Sequence, residues 1–178
     1  ENINLLENDN LDLYIIPLSE EVKESIINIL DSKEFMSDLY EGLDKKKRDK
    51  LGMVYTPAKV CIKLIESFDC DTLTGRNILD PACGSGNLLI ACLIAGADSD
   101  KVYGNEFDPT AVDLCRRRVN RACKLLGKPM IRDWQVHLGD ATQARCLSDF
   151  SPTYKFKEYE QVNLFSDFLH HVVEWLNC

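Results

Sequence analysis

The sequence lacks the spacings on which metal centres are built. It has no Cys-x-x-Cys pair and only three histidines, His137, His170 and His171, whereas structural zinc sites draw four ligands from closely spaced Cys and His. No metal ligand is expected. No apolar run approaches the ~18 residues of a membrane-spanning helix, and no secretory signal is visible, so the expected setting is the cytoplasm, with no membrane contact. Cations are outnumbered: 21 Lys and Arg stand against 29 Asp and Glu, a net charge of −8. Sequence-independent affinity for nucleic acid comes from Lys and Arg neutralising phosphates, which argues against a free-standing DNA binder. Two basic runs, Lys45-Lys-Lys-Arg48 and Arg116-Arg-Arg118, qualify that exclusion without reversing it. Of the eight cysteines, Cys61, Cys92, Cys115 and Cys123 fall inside helical patterns and Cys83 inside a glycine turn. They read as reduced, small apolar fillers rather than a disulfide framework.

What is present suits a globular α/β domain. The 178 residues are 45% hydrophobic and 28% charged, enough to bury a core as one domain, or as one domain with a helical extension. The chain is organised around Asn77-Ile-Leu-Asp80-Pro-Ala-Cys-Gly84-Ser-Gly86-Asn87-Leu-Leu-Ile90. A short apolar run ends in a carboxylate, turns through two glycines and passes into an apolar, Ala-containing stretch: strand, tight turn, helix. In open α/β sheets ligands bind in the crevice beyond such a strand end, and glycines let a ligand lie against bare main chain.

The flanking pattern repeats this unit. Residues 19–30 predict a helix with Ser19 as N-cap and Val22, Ile26, Ile27 and Leu30 on one face. Asp31 and Glu34 resemble a capping box for a second helix through Phe35, Leu39 and Leu43. Thr56-Pro57 reads as an N-cap with Pro in the first turn of a third helix, its apolar face formed by Val60, Cys61, Leu64, Ile65 and Phe68. Residues 77–80 predict strand one, 87–95 a helix stopped by Gly96, and 101–106 strand two. Asp108-Pro109 opens a helix with Val112, Cys115, Val119, Ala122, Cys123 and Leu126 along one stripe; Arg116, Arg117, Asn120, Arg121 and Lys124 read largely as its solvent side. Trp134, Val136 and Leu138 alternate as strand three. A last amphipathic helix is expected from Glu160, and its adjacent His170 and His171 point about 100° apart, so they do not chelate as a pair. The order of elements implies a doubly wound parallel sheet.

Asp80, Glu106 and Asp140 each close a predicted strand at the same sheet edge. Glu106 lies twenty residues beyond Gly86, the offset at which an acid takes a ribose hydroxyl pair in dinucleotide folds. The third glycine of that fingerprint is absent, since position 89 is Leu, and neither Lys nor Arg sits in the turn to meet a pyrophosphate. A phosphate-free ligand with hydroxyls, an amine and a positive centre fits better. S-adenosylmethionine has all three.

These segments resemble the adenine-N6 DNA methyltransferases whose cofactor motifs are N-terminal. Gly52-Met-Val-Tyr55-Thr56-Pro57 is similar to the family's Gly-x-(Phe/Tyr)-(Phe/Tyr)-Thr-Pro element, and Asp80-Pro81-Ala82-Cys83-Gly84-Ser85-Gly86 to its strand-one motif. Tyr103-Gly104-Asn105-Glu106-Phe107-Asp108-Pro109 resembles the strand-two segment, and Gly139-Asp140-Ala141 the strand-three segment. The resemblance covers about residues 52–141. It implies a Rossmann-like methyltransferase fold, incomplete here, in residues 51–178, preceded by a helical segment over 1–50. It further implies cofactor contacts from Tyr55, Thr56 and Pro57, from the turn through Asn87, and from Glu106, Phe107, Asp140 and Ala141. In the family Asp80's counterpart lies near the methionine end, Glu106's at the ribose and Asp140's near the adenine.

The family's methyl transfer to a flipped-out adenine also uses an (Asn/Asp/Ser)-Pro-Pro-(Tyr/Phe) motif to hold the exocyclic amine and stack the base. This sequence contains no Pro-Pro; its nearest approach is Ser151-Pro152-Thr153-Tyr154, whose Ser151, Pro152 and Tyr154 are the candidate catalytic residues. The chain is also short and opens on Glu1. Three readings stay open: a truncated or split enzyme whose catalytic half lies in another chain or domain, a compact enzyme using the variant motif, or an inactive relative acting through protein partners or self-association. DNA is the expected substrate in the first two.

Overall fold

In the computed structural model the described residues are 16–42, 55–68 and 70–143. Helix α1 (Glu20–Leu30) starts where expected, with Ser19 Oγ accepting the Val22 N–H at 3.3 Å, and buries Ile26 and Leu30. Helix α2 (Lys33–Gly42) follows at once. Its side-chain cap is Ser32, whose Oγ accepts the Phe35 N–H, rather than the Asp31 expected from the sequence. The Asp31 N–H still serves α1 by donating to the Ile27 carbonyl, and Glu34 is drawn away to pair with Arg121.

Helix α3 (Ala58–Glu66) begins one residue later than its Thr56-Pro57 signal, with Pro57 at the N-cap position. Its inward face is Ala58, Cys61, Ile62 and Ile65, an i, i+3, i+4, i+7 stripe. Val60 and Leu64, expected inside, are exposed: Ile62, outside the expected stripe, takes the inward place together with Ala58.

Strands β1 (Ile78–Asp80), β2 (Val102–Glu106) and β3 (Val136–Leu138) form a parallel sheet in the order β1-β2-β3. Asp80 is opposite Gly104, and Glu106 opposite Leu138. Helix α4 (Asn87–Ile94) joins the first two strands and α5 (Pro109–Leu125) the second two. The described residues adopt the expected α/β class, a parallel sheet with connecting helices, three strands of it among the described residues. Nearly all of α4 is buried, as befits a helix apolar on every side. It packs on β1 and β2 and against α1, α3 and α5, while α2 lies along α5. One hydrophobic core therefore runs from Ile16 and Leu18 through Ile26, Phe35, Ile65 and Leu93 to Val136. The expected boundary near residue 50 and the expected helix from Glu160 lie outside the described residues. Among the described residues, no helix is long and apolar enough to cross a membrane.

The alternation in strand three resolves differently from its sequence pattern. Trp134 belongs to a 3-10 turn, Asp133–Gln135, and it and Leu138 are exposed. The residue turned inward beside Val136 is Gln135, whose Nε2 donates to the Ser99 and Val102 carbonyls at 2.7 and 2.9 Å. Trp134 rests on Tyr103 instead, ring centres 5.9 Å apart.

Candidate functional site

The C-terminal edge of the sheet gathers the residues that the sequence singles out. All three strands run parallel, so Asp80 and Glu106, the last residues of β1 and β2, and Asp140, two beyond β3, share one edge. Asp80 Oδ1 accepts the Ala82 N–H at 3.1 Å and starts the turn. Burial pushes the Asp80 carboxyl up to about 6; the Ala82 amide opposes the rise and the neighbouring Glu106 carboxylate adds to it.

The turn is tied to β2 from both sides. The Cys83 N–H donates to the Asn105 carbonyl at 2.9 Å and the Gly86 N–H to the Cys83 carbonyl at 2.8 Å. Glu106 takes three backbone donors: Gly84 on Oε2 at 3.0 Å, and Phe107 and Asp108 on Oε1 at 2.8 and 2.9 Å. The two glycines have different reasons to be there. Both have positive φ, 51° at Gly84 and 84° at Gly86. A Cβ on Gly86 would stand 2.7 Å from Cys115 Sγ and 3.1 Å from a Val119 methyl, so helix α5 approaches the turn from behind. A Cβ on Gly84 would meet nothing within 4 Å: this corner faces open space, as a backbone cradle must.

Asp140 Oδ1 accepts from the Thr142 N–H and hydroxyl at 3.0 and 2.7 Å, and Ala141 beside it is buried. Phe107, next to Glu106, is 64% exposed, a bare aromatic ring immediately after β2. Thr56 reaches the turn through its carbonyl, which accepts Asn87 Nδ2 at 2.9 Å. Tyr55 packs against the small cluster of Leu39, Ala111 and Leu114 between α2 and α5. Pro57 and Ala82 are exposed, and Pro81 is half-buried. Ser151, Pro152 and Tyr154 lie outside the described residues, as does the basic run at 45–48. Among the described residues no group of three His, Cys, Asp or Glu side chains is placed to hold a metal ion.

Three polar residues essential to this arrangement escaped the sequence reading of their roles. Asn105 is 1% exposed, and its Nδ2 donates to the carbonyls of Pro81 and Gly139 at 3.2 and 2.9 Å, stitching the loop after β1 to the loop after β3. Arg121, assigned to the solvent side, pairs with Glu34 and Asp38 of α2. Arg118 is buried, and its Nη1 reaches Ser85 and Asn87. Burial lowers the Arg118 guanidinium from its usual pKa.

The donor set fits S-adenosylmethionine. The edge offers an open glycine corner, carboxylates suited to a cation and to hydroxyls, and an exposed aromatic ring. Arg118 reaches the turn from behind, buried, rather than from the open side where a pyrophosphate would want it.

Comparison with known proteins agrees in part of the chain. Residues 31–125 match the family model for N-6 DNA methylase. The type II methyltransferase M.VspI of Vibrio sp. (strain 343) is 33% identical over 109 residues, covering 57% of this chain and 26% of that protein. The type II methyltransferase M.MthZI of Methanothermobacter thermautotrophicus is 28% identical over 122 residues, 68% of this chain and 32% of that protein. A ribosomal protein L11 methyltransferase of Pseudomonas aeruginosa (strain LESB58) is 40% identical over 57 residues, 32% of this chain and 19% of that protein. The chain thus spans a third or less of the length of these relatives. No solved structure matches it significantly.

Proposed function

The chain belongs to the N-6 DNA methylase family, and from that premise we propose that it is the S-adenosylmethionine-binding part of a DNA adenine-N6 methyltransferase. The observation that carries the reading is the meeting of Asp80, Glu106 and Asp140 on one sheet edge around a glycine turn whose Gly84 corner is open. When bound, the cofactor supplies an electrophilic methyl group on a sulfonium. The chain's own residues bind and orient. Asp80 would face the positive end, Glu106 would accept from the ribose with the acceptor position its three backbone donors leave free, and Phe107 and Asp140 would border the adenine, with the turn's backbone alongside the methionine. Tyr55, Thr56 and Pro57 border the same cleft.

The methyl acceptor is the exocyclic amine of an adenine extruded from the duplex, because that amine is out of reach in the stack. Ser151, Pro152 and Tyr154 are the candidates in this chain for holding the amine; a complementary segment in another domain or chain is the alternative. A net charge of −8 favours DNA engagement through such a complement over binding by this chain alone; a cytoplasmic, restriction-modification setting is part of the same proposal. Labelled S-adenosylmethionine, incubated with DNA and this chain alone or with candidate partner chains, tests the proposal. Label appearing on adenine N6 in at least one combination is the expected result. Cofactor binding without transfer in any combination would favour an inactive module acting through protein contacts.

A further inference from the structure

Arg118 is 1% exposed and is among the largest fully buried side chains of the described residues. It belongs to no ion pair recorded among them, and its Nε and Nη2 have no hydrogen-bond partner there. A buried cation with no carboxylate in contact is costly, and Asp38 acts on it only through space. Its guanidinium lies over the Phe35 ring, 5.5 Å from the centroid, which offsets part of that cost. The remaining nitrogen, Nη1, donates to the Ser85 carbonyl at 2.8 Å, the Ser85 hydroxyl at 2.9 Å and Asn87 Oδ1 at 2.6 Å. Ser85 and Asn87 are themselves buried, so water does not replace these bonds. Asn87 passes the connection on, donating its Nδ2 to the Thr56 carbonyl.

We infer that Arg118 is a positioning residue: by gripping Ser85 and Asn87 it fixes the glycine turn and, through Asn87, the segment at Thr56, so that two stretches far apart in sequence hold one geometry. The inference deepens the cofactor-binding reading and rests on it for the claim that this geometry serves the cofactor. The coupling itself does not depend on it. An apolar residue of similar length fills the space but leaves the Ser85 carbonyl and Asn87 Oδ1 without their donor. A lysine restores a donor without the guanidinium's planar fork.

The test compares the full chain with Arg118→Met, Arg118→Lys and Asn87→Leu by backbone hydrogen exchange and by S-adenosylmethionine titration. Arg118→Met is expected to speed exchange at least tenfold in peptides spanning both 55–61 and 84–90 and to weaken cofactor binding at least tenfold, with Arg118→Lys in between. Asn87→Leu is expected to loosen the 55–61 peptide even if Arg118→Met fails to fold. Unchanged exchange at 55–61 in Asn87→Leu or in a folded Arg118→Met overturns the coupling. Undiminished cofactor affinity in Arg118→Met overturns the positioning role. If the unaltered chain does not bind S-adenosylmethionine at all, the cofactor reading fails, while the exchange data still decide the coupling.

Discussion

The carboxylate of Glu106 accepts the Gly84 N–H at 3.0 Å, so the acid ending β2 and the turn following β1 are already joined in the free protein. With the Phe107 and Asp108 amides on its other oxygen, Glu106 uses about three of its roughly four acceptor positions on backbone. Both oxygens therefore face donors. Glu106→Gln, often a gentle change, is expected to be harsh here, because one of the two positions becomes an NH2 pointing at an N–H. A stability loss of about 1–3 kcal/mol is predicted, read as a lower urea midpoint with an unchanged slope.

Gly86 meets α5 too closely for any side chain. Gly86→Ala places a Cβ 2.7 Å from Cys115 Sγ at a φ of 84°, combining overpacking with backbone strain. Together these are expected to cost about 2–4 kcal/mol. Cys115→Ala in the same chain should recover the part due to the sulfur and leave the strain and the 3.1 Å Val119 contact. Thermal melts of the two singles and the double separate the contributions.

Asp80 gives the protein a defined pH response. Its folded pKa of about 6 lies above the ordinary carboxylate value of about 3.9. Between those two values the folded state binds more protons than the unfolded, so this group's contribution to stability rises as pH falls through the window and is a cost above it. Asp80→Asn is expected to flatten that part of the stability profile. Cofactor binding should move the opposite way, since a cation prefers the ionised acid. Affinity is predicted to weaken about fourfold from pH 7.5 to 5.5, and titrations at the two pH values check it.

The staple at Asn105 predicts a loss shared by two loops. Asn105→Leu removes the donor from both the Pro81 and Gly139 carbonyls and is expected to cost about 1–3 kcal/mol. Amide resonances of both loops should shift together, although only one residue between them has changed.

Local chemistry made much of this site legible in the sequence. The Ser19 and Asp108-Pro109 caps, the glycine turn and the strand-ending Asp80 and Glu106 carry their signals within a few residues and form as read, while Asp140 falls two residues past its strand. What escaped depends on partners distant in the chain. Arg121 looks like a surface cation until α2 brings Glu34 and Asp38 to it. Trp134, Val136 and Leu138 read as one alternating strand, until Gln135 takes the inward place beside Val136 to serve the Ser99 and Val102 carbonyls. Arg118 was hidden by its basic neighbours, yet position 118 falls on the same buried stripe as Cys115, Val119 and Ala122. A cation on an apolar stripe was the available signal, and its acceptors on the turn supply its reason.

Titration calorimetry with S-adenosylmethionine tests the central claim most directly. The account predicts one saturable site per chain, lost in Glu106→Ala while the variant remains folded by circular dichroism. Absence of binding to the unaltered chain at millimolar cofactor, or binding left intact in Glu106→Ala, would contradict it.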